Sequence, residues 1–233
     1  MTNRNIVRDF IVYSITSVRY LLLRGHFNLF VKDLSYFAEW RRYRVSSKGT
    51  LDYRIPWLVF SSISFLESWL NKNMQVFEYG SGGSTLYFAE KTGHVISVEH
   101  DKNWHDHAKK VILDRGVTNI HYTLSEPQPL QKFSEKNCGD PSQYISCFNE
   151  YKGYEFTAYA KAITHYPDAS FDLVVVDGRV RHSCIAHAMK KVKVNGALLL
   201  DNADRAYYLQ PFPELQNRVL WKEIEFVGHF PFG

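Results

Sequence analysis

The chain has few cysteines and no long apolar run. Its 233 residues include three cysteines, Cys138, Cys147 and Cys184, and no two of them form a C-x-x-C pair. An odd number without such spacing argues against a disulfide framework and favours a reducing compartment. No run of about 18 apolar residues occurs, so no membrane-spanning helix is expected. The short apolar run at residues 10–23 is interrupted by Arg19 and has no cleavage site after it, so a secretory signal is not expected either.

Internal repeats and low-complexity tracts are also absent. Hydrophobic residues make up 45% of the chain and aromatic residues 15%, which fits one sizeable α/β core rather than a disordered chain. The net charge of +4 is uneven, because residues 1–50 hold nine Lys or Arg and three acids. Such a segment can contact an anionic membrane or nucleic acid. We expect instead that it solvates helices packed on the core, because the polar residues of 4–24 scatter around a helical wheel.

The stretch VFEYGSGGSTLYFAE, residues 76–90, predicts a buried strand, a tight turn and the start of a helix. The turn contains three glycines: Gly80, Gly82 and Gly83. Glycine lets the backbone turn sharply and lets a ligand approach closely, because no Cβ intrudes. Ser84 or Thr85 can cap the following helix.

Acidic residues end the two strands around this turn. Glu78 closes the first strand, and the second, VISVEHD at residues 95–101, ends at Glu99. A strand, a glycine turn, a helix and a second strand with an acidic end form a nucleotide-site layout, in which the acid accepts hydrogen bonds from ribose hydroxyls. The dinucleotide fingerprint would need a third glycine where Thr85 stands, and Glu78 would repel a pyrophosphate. The turn therefore suits a cationic ligand better than NAD.

The acidic-x-Gly-x-Gly pattern resembles the first motif of class I S-adenosylmethionine-dependent methyltransferases. The resemblance implies S-adenosylmethionine as the cofactor, with the glycine turn and Glu78 on its methionine part and Glu99 on its ribose. The implied cofactor-binding residues are Glu78, Gly80, Ser81, Gly82, Gly83, Ser84, Thr85, Glu99, His100 and Asp177.

Strand and helix patterns alternate along the chain, which predicts a doubly wound, mostly parallel α/β sheet of Rossmann-like methyltransferase type with an N-terminal helical extension. The predicted strands cover residues 75–79, 95–99, 119–124, 171–178 and 197–202, and the predicted helices include 4–44, 103–115, 181–192 and one opening at Pro56. We divide the chain into a basic helical extension, 1–50, and a methyltransferase-like domain, 51–233. Residues 125–152 are rich in proline and poor in periodic apolar positions, so we expect a lid-like insertion there, with Phe133, Tyr144, Phe148 and Tyr151 packing on an acceptor.

Two further strands of the predicted sheet end in acids, Asp177 and Asp201. These residues, with Asn202, resemble the magnesium ligands of the catechol O-methyltransferase branch, and all three offer hard oxygen atoms. The branch has a lysine where this chain has Val180. The branch also continues with a hairpin-forming strand that is not evident before Gly233, so the resemblance implies a Mg²⁺ site with two departures from the pattern.

The strings VVVDGRVRHSC (174–184) and LLLDNADR (198–205) also resemble a less characterised group of bacterial methyltransferases. This resemblance implies that Asp177, Arg179 and Arg181 lie near the transferred methyl group. A guanidinium there can bind a carboxylate, a phosphate or a sugar hydroxyl. His182 is a candidate general base, and Asp177 is the alternative. We predict Asp177, Arg179 and His182 as the catalytic residues.

Taken together, these patterns predict O-methylation of a small hydroxylated or sugar-containing acceptor by a cytoplasmic enzyme, with peripheral membrane contact through the basic N-terminus as an added alternative. Three other functions stay open: a nicotinamide-binding protein, a non-catalytic protein on the same fold, and a methyltransferase acting on nucleic acid, which we favour less. The lack of an evident seventh strand before Gly233 slightly favours the non-catalytic alternative. Trp104 is expected to pack in the core.

Overall fold

The computed structural model describes residues 5–25, 27–130, 137–217 and 219–232. The chain forms two compact units, one of Met1–Leu70 with Ile224–Gly233 and the other of Asn71–Glu223. We call them the helical unit and the sheet unit. The domain boundary at residue 50 stays a prediction.

The helical unit is built from five α-helices. They are α1 (Ile6–Tyr20), α2 (Phe27–Ser35), α3 (Phe37–Arg44), α4 (Thr50–Tyr53) and α5 (Phe60–Trp69). The Asn5 side chain caps α1 by accepting a hydrogen bond from the Val7 amide at 2.9 Å. The predicted helix start at Pro56 is wrong, since α5 begins at Phe60 after a residue, Val59, in extended conformation.

A buried polar network holds the helical unit together around Asp33. Its carboxylate accepts hydrogen bonds from Ser17 Oγ at 2.6 Å and from the backbone amide of His229 at 2.9 Å. His229 Nδ1 lies 2.7 Å from Asp33 Oδ2, and the His229 ring stacks on Tyr13 with 3.7 Å between centroids. Burial opposes ionisation of Asp33, but the hydrogen bonds from His229 and Ser17 outweigh it and lower the pKa of this carboxyl.

The sheet unit contains a five-stranded parallel sheet, as predicted. Its strands are β1 (Gln75–Tyr79), β2 (His94–Glu99), β3 (Ile120–Leu124), β6 (Phe171–Val176) and β7 (Val192–Leu200), in the order β3-β2-β1-β6-β7. The short strands β4 (Gln128–Pro129) and β5 (Tyr154–Glu155) pair antiparallel outside this sheet. Between the strands lie α6 (Gly83–Lys91), α7 (Lys102–Asp114), α8 (Thr157–Lys161) and α9 (Arg181–Ala188).

The two faces of β1 bury different side chains. Phe77 and Tyr79 belong to the main apolar cluster with Tyr159 of α8 and Ile185 of α9. Glu78 projects to the opposite face, because successive strand side chains alternate. This buried carboxyl lies at the carboxyl edge of the sheet, where doubly wound folds bind ligands.

The predicted lid, residues 125–152, has more internal structure than its composition suggests. The β4–β5 pair closes its base, and Cys138 and Cys147 form a disulfide. The expectation of reduced cysteines is therefore wrong for this pair, and only Cys184 among the cysteines is free. Because disulfides are typical of oxidising compartments, the cysteines no longer support a cytoplasmic location. Phe133 lies outside the described residues.

Candidate functional site

The glycine turn after β1 is fixed by its neighbours. Gly80 has a φ of +86°, and a Cβ there would lie 2.9 Å from the backbone oxygen of Asp177, so only glycine fits. The amide of Gly82 donates to Thr85 Oγ1 at 3.0 Å, and the Thr85 hydroxyl donates to Glu78 Oε2 at 2.6 Å. Thr85, which stands where the NAD fingerprint has a glycine, therefore ties the turn to the acidic end of β1.

Glu78 is fully buried, and its two oxygens differ. Oε2 accepts hydrogen bonds from Thr85 and from Ser97 Oγ, the latter at 2.7 Å. Oε1 is buried without a hydrogen-bond partner among the described residues. Burial raises the pKa of Glu78 to about 7, although hydroxyl donors oppose the rise. Such an orphaned oxygen is a position where a donor or a cation is stabilised.

Glu99, in contrast, is saturated by the protein itself. Oε2 accepts hydrogen bonds from the Ser81 amide at 2.9 Å and from its hydroxyl at 2.8 Å. Oε1 accepts from the amides of His100 and Asp101 at 2.7 and 2.9 Å. Burial is outweighed by these contacts and by the His100 side chain, so the pKa of Glu99 falls to about 2. A ribose would have to replace one of these donors, and the ribose role of Glu99 stays a prediction.

Trp104 lies at the glycine turn and not in the core, so its predicted position is wrong. Its Nε1 donates to the Ser81 carbonyl at 2.8 Å, and its ring is the nearest group to a Cβ built on Gly82, at 3.7 Å. The side chain remains partly exposed at 37%. The indole therefore offers a flat apolar face beside the turn, a position that sequence periodicity did not indicate.

His100 connects the end of β2 to the lid. Its Nε2 lies 3.0 Å from Tyr151 OH, and its ring makes edge contacts with Tyr151 and Tyr159. The predicted cofactor residue therefore contacts the predicted lid aromatic in this structure.

Arg181 lies between the two carboxylates that were predicted to hold magnesium. Its Nη2 donates to Asp177 Oδ1 at 2.8 Å, and its Nη1 donates to Asp201 Oδ2 at 3.1 Å and to the Asp201 carbonyl. Asn202 is exposed and follows β7 in a left-handed conformation, φ 53°. No group of three His, Cys, Asp or Glu side chains in the described part of the chain is placed to hold a metal ion. The magnesium prediction therefore finds no support, because a guanidinium supplies the positive charge that these acids need.

Asp177 keeps an unusual environment despite this ion pair. Burial and the neighbouring Asp201 carboxylate raise its pKa, and Arg181 opposes the rise. Asp177 and Asp201 share the single positive charge of Arg181 at the carboxyl edge of the sheet. Asp177 therefore holds a proton more readily than an ordinary aspartate does. The sequence placed Arg181 beside Asp177 near the methyl group, and its pairing with both Asp177 and Asp201 was not anticipated.

Arg179 fastens the lid. Its Nη2 donates to Glu150 Oε1 at 2.9 Å, and its guanidinium lies over the rings of Phe148 and Tyr151, at 4.7 and 5.3 Å from their centroids. The Glu150 side chain is largely exposed. Because Glu150 already lies in solvent, an anionic or polar group of a ligand could take its place on the Arg179 guanidinium.

His182 is buried with neither ring nitrogen hydrogen-bonded among the described residues. Burial lowers its pKa to about 4, so the ring is neutral near pH 7. The ring lines a small cavity that has room for about one water molecule. Other residues lining this cavity include Phe148, Arg179, Tyr207 and Tyr208. The structure thus brings His182 and Arg179 to one cavity, and places Asp177 with Arg181 instead.

The strand order and the helices between the strands define a doubly wound, parallel α/β sheet of the Rossmann-like type. No protein-family model matches the chain, and no curated protein matches it in sequence. Solved structures do match. A methyltransferase-like protein of Silicibacter pomeroyi is 23% identical over 67% of this chain and 78% of its own, with a TM-score of 0.48. The tRNA (m1A58) methyltransferase TrmI of Aquifex aeolicus is 16% identical over 68% and 54%, with a TM-score of 0.42. The YcgJ protein of Bacillus is 15% identical over 60% and 48%, with a TM-score of 0.36, so this chain spans about half the length of the last two.

Proposed function

We propose that the chain is an S-adenosylmethionine-dependent methyltransferase that methylates a hydroxyl of a small polar acceptor. The observation that carries the proposal is the orphaned Glu78 Oε1 at a glycine turn on the carboxyl edge of the sheet. A positive group near this oxygen would favour the ionised carboxylate, and S-adenosylmethionine carries both an ammonium and a sulfonium. When bound, the cofactor supplies a methyl group on a good leaving group.

The residues at the turn fit such a cofactor. Gly82 leaves backbone open to a ligand, since a Cβ there would meet no atom closer than 3.7 Å, and Trp104 offers a face for an apolar or aromatic part. Glu99 accepts two hydrogen bonds from Ser81 and so fixes the shape of the turn. We assign this as its main role, and contact with the ribose as a second role. Preorganisation of this kind lowers the entropic cost of binding.

His182 is the group we assign to proton removal from the acceptor. It is neutral near pH 7, its nitrogens are unused, and it lines the cavity beside Arg179. An acceptor hydroxyl that donates to a ring nitrogen loses its proton to His182 as the oxygen attacks. Because the cavity has room for about one water, the Arg179–Glu150 contact has to open before an acceptor enters.

Calorimetry with S-adenosylhomocysteine and with NAD tests the cofactor assignment. We expect binding of the first only, tighter at pH 8 than at pH 6, because Glu78 ionises in this range. Gly82→Ala should weaken binding at least about tenfold while leaving the melting temperature unchanged, since its Cβ meets no atom closer than 3.7 Å. Gly49→Ala, where a Cβ also has open space, is the matched control. Binding of NAD alone would contradict the proposal.

The acceptor is tested by transfer of labelled methyl from S-adenosylmethionine to fractions of a cell extract. Label is expected in the small-molecule fraction and should be lost with His182→Asn. Label that enters RNA or DNA, with binding that falls steeply with salt, would support the nucleic-acid alternative instead.

A further inference from the structure

Helix α1 differs from an ordinary surface helix, because it buries polar groups and exposes apolar side chains. Its buried positions are polar: Asp9, Tyr13 and Ser17 recur every fourth residue and face the interior. Asp9 pairs with Arg41 at 3.2 Å, and Tyr13 OH and Ser17 Oγ donate to Asp33. The inward face is therefore held by hydrogen bonds and ion pairs.

The outward face of α1 and the segment after it is apolar. Ile11 is 51% exposed and Ile15 is 62% exposed, and these two lie one turn apart. Val12 lies beside them on this face. The other exposed large apolar residues of α1, α2 and the segment between them are Ile6, Val7, Phe10, Leu22, Leu23, Phe27 and Val31. We call these residues together the α1–α2 patch. This density of exposed apolar side chains is typical of a site that binds a partner or a membrane.

The charges around the α1–α2 patch are all of one sign. The acids of α1 and α2, Asp9 and Asp33, are both buried, whereas Arg8, Arg19 and Lys32 are exposed. Arg8 lies one turn before Val12, and Arg19 lies one turn after Ile15, so the cations share the apolar face. An apolar surface bordered by cations alone is complementary to anionic lipid headgroups over an acyl layer.

The length of α1 fits a position on a membrane and not across it. Its 15 residues extend about 22 Å, less than the roughly 30 Å of a hydrocarbon core. No helix in the described ranges is long and apolar enough to span a bilayer. A second copy of the chain suits the patch less well, since pairing of two identical patches would bring the cations of α1 and α2 together, and the acids of these two helices, Asp9 and Asp33, are buried.

From these observations we propose that the α1–α2 patch docks the protein on an anionic membrane surface, with α1 lying in the plane of the interface. The docking does not depend on the proposed methyl transfer.

Co-sedimentation of the full chain with lipid vesicles tests the proposal. The vesicles are phosphatidylcholine alone and phosphatidylcholine with phosphatidylserine. We expect binding to the anionic vesicles, weaker binding to the neutral ones, and a loss of binding as salt is added. Ile11→Asp with Ile15→Asp should reduce binding by at least about tenfold. Leu113→Asp is the matched control, because Leu113 is 67% exposed on a helix of the other unit, and it should bind as the parent does.

A second variant, Arg8→Glu with Lys32→Glu, keeps the test decisive if the first does not fold. It should abolish the preference for anionic vesicles. Absence of binding by the parent, or equal binding by the parent and the folded Ile11/Ile15 variant, would overturn the proposal. Size-exclusion chromatography with light scattering completes the test: a dimer that Ile11→Asp dissociates, without vesicle binding, would assign the patch to a second copy.

Discussion

Replacement of Glu78 by Gln isolates the cost of ionising a carboxyl in the core of the sheet unit. Glu78 is fully buried, and its pKa is raised from 4.5 to about 7. The folded protein therefore binds this proton more tightly than the unfolded chain does. The stability that the protonated form contributes is fully present below pH 4.5 and is lost as the pH rises through 7.

The size of the effect follows from the shift. Each pKa unit corresponds to about 1.4 kcal/mol, so ionisation of Glu78 costs roughly 3 kcal/mol of folding free energy by pH 8. Gln keeps an oxygen to accept from Thr85 and Ser97, and its amide group takes the place of Oε1. The Ser84 hydroxyl is the group nearest to a partner for that amide, and an imperfect hydrogen bond to it adds a penalty of up to about 1–3 kcal/mol at every pH.

The pH dependence therefore separates the two effects. In urea unfolding followed by circular dichroism, the stability of Glu78→Gln relative to the parent should improve by about 3 kcal/mol between pH 4.5 and pH 8. Glu126→Gln, at an exposed carboxyl, is the matched control and should show a flat difference. Parallel curves for Glu78→Gln and the parent would refute the raised pKa and with it the role of the orphaned oxygen.

Three further predictions concern the site and its lid. Arg181→Met removes the cation that Asp177 and Asp201 share and should cost about 3 kcal/mol at pH 7, and less as the pH falls, because the raised pKa of Asp177 lets it protonate, as read from urea unfolding. Trp104→Phe removes the indole hydrogen bond to the glycine turn and should lower stability by about 1 kcal/mol in the same assay, and an unchanged midpoint would contradict that contact. Thiol titration of the unfolded, unreduced chain should detect Cys184 alone, and three reactive thiols would disprove the Cys138–Cys147 disulfide.

The sheet could be predicted because its signals are local. Residues 173–176, LVVV, form a continuous apolar run between Asp172 and Asp177, which is typical of a buried parallel strand. The glycine turn after β1 could be predicted for the same reason. Its glycines follow one another closely in the sequence, next to the strand that they end. The predicted strand at 197–202 was less accurate: β7 covers Val192–Leu200, so Asp201 follows it.

Other features depend on contacts between distant segments. Arg181 bridges the ends of β6 and β7, and this pairing is fixed only when the strands lie side by side. The disulfide was missed because an odd number of cysteines says nothing about the distance between two of them. The inward side of α1 was not assigned from the sequence, because its buried residues, Asp9, Tyr13 and Ser17, find their partners on α2, α3 and the segment around His229.

The contact between Asp33 and His229 has a consequence for the order of synthesis. These partners are separated by 196 residues, so at about 5–20 residues per second the ribosome makes His229 roughly 10–40 s after Asp33. During this interval the sheet unit can fold as its own segment is completed, while the nascent N-terminal helices lack the ring that stacks on Tyr13. The first helices to emerge are therefore among the last parts of the chain to reach their final packing.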